Sequence, residues 1–394
     1  MNLQTSYLGV AFNNPFILAS APPTANGDMI RRAFEAGWGG AVIKTICHDP
    51  VHNLSNRFAT LRSGGEIFGF ENLELLSEKG PDEWYRDIAA VKADFPHCPI
   101  IGSIMGSADS PEEWLSLARG CQDAGADLLE LNFSCPHGCP ERGRGAAIGQ
   151  NPEYGTRIVK WLTASTDITI PIIPKLTAAV ADIRFIAEEL ATAGAHGFCA
   201  INTVPSFFGF DLQTLRPKPD LGGMTSYGGY SGPGIKPIAL RAVAELCQSP
   251  GLPVMASGGI ASGFDAAEFM LLGAPVVQVG TGAMLRGFTL VKEMQQQLQE
   301  FMGWHDFSEP ADVIGLCKDR ISSFEQLANN LKVRPVVNPD RCCNCGLCLT
   351  ACRDGGYQAI TPGLDSPVFV TDNCSGCSLC SQVCPVGALQ MRPC

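Results

Sequence analysis

Ten of the chain's 18 cysteines fall within residues 342–394, as Cys342-x2-Cys345-x2-Cys348-x3-Cys352 and then Cys374-x2-Cys377-x2-Cys380-x3-Cys384-Pro385. Zinc sites usually pair two CxxC units, and secreted disulfide domains do not cluster their cysteines in this way. Three thiolates on a short Gly-containing loop can converge on one face of an iron–sulfur cubane while backbone N–H groups point at its sulfides. The fourth thiolate comes from the other motif when two such halves pack about a pseudo-twofold axis. One [4Fe–4S] cluster is therefore expected on Cys342, Cys345, Cys348 and Cys384, and a second on Cys374, Cys377, Cys380 and Cys352. Cys343 and Cys394 read as bystanders.

The residues before these motifs carry a different pattern. A helix ends in Ala/Leu-Gly-Ala/Trp and an apolar strand follows within a few residues, at Gly37, Gly125, Gly194 and Gly273. Glycine at that position stops a helix by taking up the left-handed conformation. Filling the gaps gives eight candidate strands, at 16–21, 41–45, 99–105, 128–134, 172–177, 197–202, 253–257 and 276–280, with amphipathic segments such as 111–124 and 181–193 between them. This alternation predicts a (β/α)8 TIM barrel over residues 1–302, a helical linker at 303–338 and a ferredoxin-like domain with the two clusters at 339–394. A doubly wound sheet would need a G-x-G-x-x-G turn after an early strand, and the glycines at 143, 145 and 149 have the wrong spacing for one.

Charge excludes one class of partner. Lys and Arg number 28 against 39 Asp and Glu, a net −11, so nothing is suited to a phosphate backbone and no nucleic-acid partner is expected. The uncharged runs are broken by Gly, Pro and polar residues, and the N-terminus lacks a signal-peptide pattern, so a cytoplasmic protein without membrane association is expected.

Barrel active sites lie at the C-terminal ends of the strands. Those ends carry Ser20, Lys44, Thr45, Asn132, Phe133, Ser134, Cys135, Lys175, Asn202, Thr203, Ser257, Gly258, Gly259, Gly280 and Thr281. Glycine-rich turns after strands seven and eight suit a phosphate held by backbone N–H groups. A phosphate cradle and two one-electron clusters on one chain point to FMN, which handles both one and two electrons. A lone barrel cysteine is most often packing. Cys135, however, opens a long loop (Pro136 to Gly145) rich in glycine and charge at the catalytic mouth, where a lid is expected, and is read as functional; Cys139 on the same loop is read as packing.

The run Asn132-Phe-Ser-Cys-Pro-His-Gly-Cys-Pro-Glu-Arg-Gly-Arg-Gly resembles the active-site loop of the dihydropyrimidine dehydrogenases. Phe70-Glu-Asn-Leu-Glu-Leu-Leu-Ser-Glu-Lys, Asn202-Thr-Val, Tyr227-Gly-Gly-Tyr-Ser-Gly and Cys352-Arg-Asp-Gly-Gly-Tyr-Gln-Ala agree with it, so the resemblance spans nearly the whole chain. It is nearest to the bacterial catalytic subunit of that family. The resemblance implies reversible reduction of the C5–C6 bond of uracil or thymine, with hydride from FMN N5 to C6 and a proton from Cys135 to C5. It implies pyrimidine contacts from Asn72, Asn132, Phe133, Ser134, Asn202 and Thr203. FMN contacts follow for Ser20, Lys44, Thr45, Lys175, Ser231, Gly258, Gly259, Gly280 and Thr281. It further implies electrons from NAD(P)H through a separate FAD and iron–sulfur subunit, and a homodimer of this chain within a heterotetramer. Cys139-Pro140 and the aromatic 206–226 loop depart from the family pattern. Dihydroorotate dehydrogenases share the Asn-x-Ser-Cys-Pro strand end but follow it with Asn, where this chain has His137. A tRNA-reducing flavin barrel should be basic, and a pure electron-transfer module would leave the barrel without a task.

Overall fold

The computed structural model describes every residue except 50, 137–138, 140–142, 328–329 and 363–367, together with the side chains of 368 and 369. It forms two compact units, Met1–Ile321 and Ser322–Cys394.

The first unit is a closed barrel of eight parallel strands, each paired with its sequence neighbours. They are β1 (Phe16–Leu18), β2 (Gly40–Val42), β3 (Ile100–Ile104), β4 (Leu128–Asn132), β5 (Ile172–Leu176), β6 (Phe198–Ala200), β7 (Val254–Ser257) and β8 (Val277–Val279). All eight fall inside or within one residue of the expected segments. The connecting helices start where a side chain satisfies an otherwise unpaired N–H: Asn26 caps Gly27–Ala36, Ser110 caps Pro111–Asp123 and Ser262 caps Gly263–Leu272. They end at the expected glycines, whose φ values run from 101° at Gly125 to 122° at Gly273.

Period-two alternation sorts the barrel interior into layers. Its lower layer is apolar, with Ile17, Val42, Ile101, Leu128, Ile173, Cys199, Met255 and Val276 packed on Tyr7 and Phe12. The last two come from an N-terminal hairpin, Thr5–Tyr7 with Val10–Phe12, that plugs the floor. Two residues further along the strands the interior turns polar, at Ser103, Glu130, Lys175 and Gln278, all buried.

Two excursions, after β2 and after β6, build a four-stranded antiparallel sheet in the order Val204–Ser206, Gly228–Ser231, Glu66–Asn72, Phe58–Ser63. The strand pattern alone did not reveal this cap sheet.

The expected linker needs correction. Residues 303–321 pack as part of the barrel unit, through contacts such as the Gly315 and Cys317 amides on the Met270 and Leu271 carbonyls at 2.8 and 2.9 Å. Helical structure between 310 and 326 amounts to three single 3₁₀ turns, and Val333–Val337 is a strand.

That strand pairs antiparallel with Leu389–Pro393 in the second unit, and Ile360–Pro362 pairs with Val368–Val370. Helices Leu347–Gly355 and Leu379–Gln382 each follow the first CxxC pair of a motif and carry its third cysteine. Among the described residues no helix is long and apolar enough to cross a membrane.

Candidate active site and cluster sites

At the C-terminal ends of the barrel strands lies a cavity of about 240 Å³, walled on one side by the cap sheet through Phe58, Ile67 and Phe70. The structure brings Ser20, Lys44, Thr45, Asn72, Asn132, Cys135, Lys175, Asn202, Thr203, Ser231, Gly258, Gly259, Gly280 and Thr281 to its walls. Two expected members stand elsewhere. Phe133 turns outward, its ring edge-on to Trp114 at 5.6 Å in the apolar core. Ser134 is fully buried and accepts from Asn202 Nδ2 at 3.0 Å, so it orients an amide instead of facing a ligand.

The three amides are each half committed. Asn72 Nδ2 donates to the Gly229 carbonyl at 3.0 Å, Asn132 Nδ2 to Thr45 Oγ1 at 2.9 Å and Asn202 Nδ2 to Ser134. An amide nitrogen has two N–H groups, so each can keep one for a ligand. Asn132 Oδ1 also accepts from the Ser134 and Cys135 amides, at 3.2 and 3.1 Å. This side chain therefore shapes the turn that presents Cys135.

The Cys135 thiol is buried in an apolar nest with Cys47, Leu76, Met105 and Cys139. Cys139 is hydrogen-bonded to it, and that bond together with burial holds the Cys139 thiol far above its ordinary pKa. Burial likewise pushes Cys47 up to about 11. The loop closes on Gly145 (φ 60°), where a Cβ would meet the Cys135 carbonyl oxygen at 2.8 Å. Arg144 ties the same end to Asp49 at 2.7 Å and Glu113 at 3.2 Å. His137, Gly138 and Pro140 to Arg142, the centre of the expected lid, lie outside the described residues.

Three residues that the strand ends did not reveal complete the cavity: Glu74, Gln278 and Arg286. Glu74 pairs with Lys44 at 3.0 Å and with Arg57. Burial still draws Lys44 below the usual lysine pKa, with Glu74 opposing it. Glu74 lies two residues after Asn72, and Gln278 lies two before Gly280 on an inward-facing strand, so counting in twos would have found both.

The donor sets fit the expected cofactors. Among the described residues, no protein acceptor takes a hydrogen bond from the backbone N–H groups of Gly259, Ile260, Thr281 or Gly282. Ser231 Oγ and Thr281 Oγ1 are linked at 2.8 Å beside them. Any side chain at Gly259 would strike the Lys236 backbone at 2.7 Å, so the turn needs glycine there, and its N–H groups suit a phosphate. In the second unit, one void is lined by Cys342, Cys345, Cys348 and Cys384, with Cys343, expected to be a bystander, also on its wall; another is lined by Cys352, Cys374, Cys377 and Cys380. Each combines three thiols of one motif with the fourth of the other. Among the described residues no group of three or more His, Cys, Asp or Glu side chains is placed to hold a single metal ion. The Ala359 and Ala388 amides donate to Cys352 and Cys384 Sγ at 3.3 and 3.2 Å. Desolvation opposes ionisation of Cys384, but several such amides outweigh it and hold the thiol below its ordinary pKa.

Comparison with known proteins follows this division. Residues 2–302 match the dihydroorotate dehydrogenase family and residues 335–391 a 4Fe–4S dicluster domain. The chain is 36% identical over 363 residues to the Escherichia coli NAD-dependent dihydropyrimidine dehydrogenase subunit PreA, covering 91% of this chain and 87% of that one. It is 38% identical to the catalytic subunit of Pyrococcus abyssi dihydroorotate dehydrogenase B, over 80% of this chain and 98% of that one. A solved Eimeria tenella dihydroorotate dehydrogenase shares the fold, with a TM-score of 0.67 at 20% identity over 80% of this chain and 88% of that one. FMN and two [4Fe–4S] clusters are accordingly the chain's cofactors. The chain belongs to the dihydroorotate dehydrogenase family, among its dihydropyrimidine dehydrogenase-like members with a dicluster domain, and is a flavoprotein oxidoreductase of pyrimidine metabolism.

Proposed function

We propose that this chain reduces the C5–C6 double bond of uracil or thymine, and oxidises the dihydropyrimidine in reverse. One arrangement carries the reading: a nearly buried thiol, Cys135, lining the same cavity as three asparagine amides whose nitrogens are half committed, Asn72, Asn132 and Asn202. Uracil presents alternating C=O and N–H groups along its edge; each amide keeps an N–H for its carbonyls, and the oxygens of Asn72 and Asn202, each accepting from one backbone amide, keep a lone pair for its N–H groups. Cys135 holds the proton for C5, and as thiolate it is the base in the reverse direction. Lys44 and Lys175 bind the flavin ring, with Ser20 and Thr45 beside it. The turns at 258–259 and 280–281, with Ser231, hold the phosphate. FMN, when bound, supplies the hydride for C6 and accepts electrons singly. Cys342, Cys345, Cys348 and Cys384 hold one cluster and Cys374, Cys377, Cys380 and Cys352 the other. Electrons reach them from a separate NAD(P)H-oxidising FAD subunit, and this chain pairs with itself in that complex.

The Pyrococcus abyssi relative supports a second reading, oxidation of dihydroorotate. Glu74 weighs against it. Its carboxylate lines the cavity and pairs with Lys44 there, so an anionic substrate would have to compete with a carboxylate for that ammonium.

Anaerobic purification followed by titration with uracil, thymine and orotate separates the two. Uracil or thymine should reoxidise the chemically reduced flavin, and orotate should not. NADH should leave the isolated chain oxidised. Dihydroorotate turnover faster than dihydrouracil turnover would overturn the proposal.

A further inference from the structure

The floor of the cavity holds an ion pair, Lys175 with Glu130, whose carboxylate the proposed reaction does not use. Lys175 Nζ donates to Gln278 Oε1 at 2.7 Å and lies 3.5 Å from Glu130 Oε1. Gln278 Nε2 donates to Glu130 Oε2 at 2.6 Å, and Ser103 Oγ to Glu130 Oε1 at 3.4 Å. These four side chains come from β3, β4, β5 and β8, so the network spans the barrel interior. Lys175 and Gln278 line the cavity, whereas Glu130 is 0% exposed beneath them and is not part of its wall. Whatever Glu130 does for a ligand, it does through its neighbours.

The charges facing Lys175 are few. Glu130 faces it from β4 and the Cys199 thiol from β6, while the Tyr7 hydroxyl of the floor hairpin faces those two. Burial holds both Cys199 and Tyr7 well above their ordinary pKa, so each stays neutral. Burial is the largest influence on Lys175 and draws it down; the Glu130 charge opposes it and, together with Cys199 and the hydrogen bond to Glu130, holds the ammonium above its usual pKa. Lys44, at the opposite wall, has its counterion in the cavity itself and is shifted the other way. The two lysines are therefore not equivalent.

We propose that Glu130 is a positioning residue for Lys175: bridged by Gln278, it locks the ammonium in place and in its charged form under the flavin site, and so sets the reduction potential of bound FMN. The proposal rests on the assignment of this cavity to FMN. Glu130→Gln keeps the shape but removes the charge, leaving Lys175 buried with no counterion. Buried lysines so exposed to desolvation drop by up to about 3–5 pKa units.

The test is the flavin midpoint potential of the holoenzyme from about pH 6 to pH 9, after flavin is counted per chain. Wild type should show no lysine step in this range. Glu130→Gln should start from a higher potential at the acid end and fall more steeply, through a new inflection that Glu130→Gln/Lys175→Met lacks. If Glu130→Gln does not accumulate folded, Gln278→Met carries the test: it leaves both charges but breaks the bridge, and should shift the potential without a new inflection. A purely structural role would lower thermal stability and leave potential and pH slope at the wild-type values. That result in a fully flavin-loaded variant overturns the proposal alone. Wild-type chain without flavin overturns the cavity assignment, and the proposal with it.

Discussion

Cys135 and Cys139 share an apolar nest, but their positions make different demands on chemistry. Cys135→Ala should keep flavin and iron, because its thiol is among neither donor set, and lose turnover by about 10²–10⁴-fold, the usual worth of a positioned general acid. Steady-state dihydrouracil oxidation with a dye acceptor measures it, and a loss of only a few-fold would reduce the thiol to packing. Cys139 takes part through its hydrogen bond. A neutral Cys139 S–H hydrogen-bonded to Cys135 would stabilise a thiolate there, so Cys139→Ala should destabilise that thiolate. If the Cys135 thiolate is the base in the oxidising direction, as proposed, the acid limb of the pH–rate profile should move to higher pH by roughly half to one unit, the size of a hydrogen bond worth about 1 kcal/mol. An unmoved limb would return Cys139 to the packing role expected from its sequence position.

At the scale of elements, the loop after β4 is fastened at its base. Gly145 sits at φ 60° with no room for a Cβ beside the Cys135 carbonyl. The Ala146 amide donates to that same carbonyl at 3.0 Å. Gly145→Ala should cost about 1–3 kcal/mol of strain, or relieve it by moving the Cys135 turn. Differential scanning calorimetry together with turnover should therefore show a lowered Tm, a lowered rate, or both. Unchanged values in both measurements would mean that the loop base is not tied as described. Asn132 belongs to the same element: with its carbonyl holding two amides of the turn, its replacement disturbs Cys135 as well as any substrate contact.

For the whole molecule, the two units carry separate cofactors. The intact protein should hold about eight iron per chain. Cys384 belongs by sequence to the second motif but in space to the void of the first. Cys384→Ala should therefore deplete the cluster of Cys342, Cys345 and Cys348 and leave the other, with iron falling to about four per chain and flavin unchanged. Iron analysis and low-temperature EPR of the reduced protein distinguish the two clusters. Loss of the cluster on Cys374, Cys377 and Cys380 instead would show that each motif supplies its own fourth ligand.

What the sequence determined by itself is what is local along the chain. The CxxCxxCxxxC spacing, the glycines that stop helices and the apolar strands between them lie within a few residues of one another, so backbone geometry alone ties them to structure. The polar residues at the strand ends were legible for the same reason. The tertiary structure alone decided what barrel closure brings together, Gln278 against Glu130 across 148 residues and Lys175 against Gln278 across 103, and what the excursion after β2 folds back onto the barrel mouth, Glu74 against Lys44 across 30. It also decided the direction of each side chain where a strand gives way to a loop. There the period of two ends, and the turn shaped by Asn132 sends Phe133 to the outer core and Cys135 to the cavity. The cap sheet and the attachment of residues 303–321 follow the same rule. Phe58–Ser63 and Glu66–Asn72 form a local hairpin, but the pairing of Asn72 with Gly229 that joins the two excursions, and the packing of 303–321 on the barrel unit, join segments far apart in the chain.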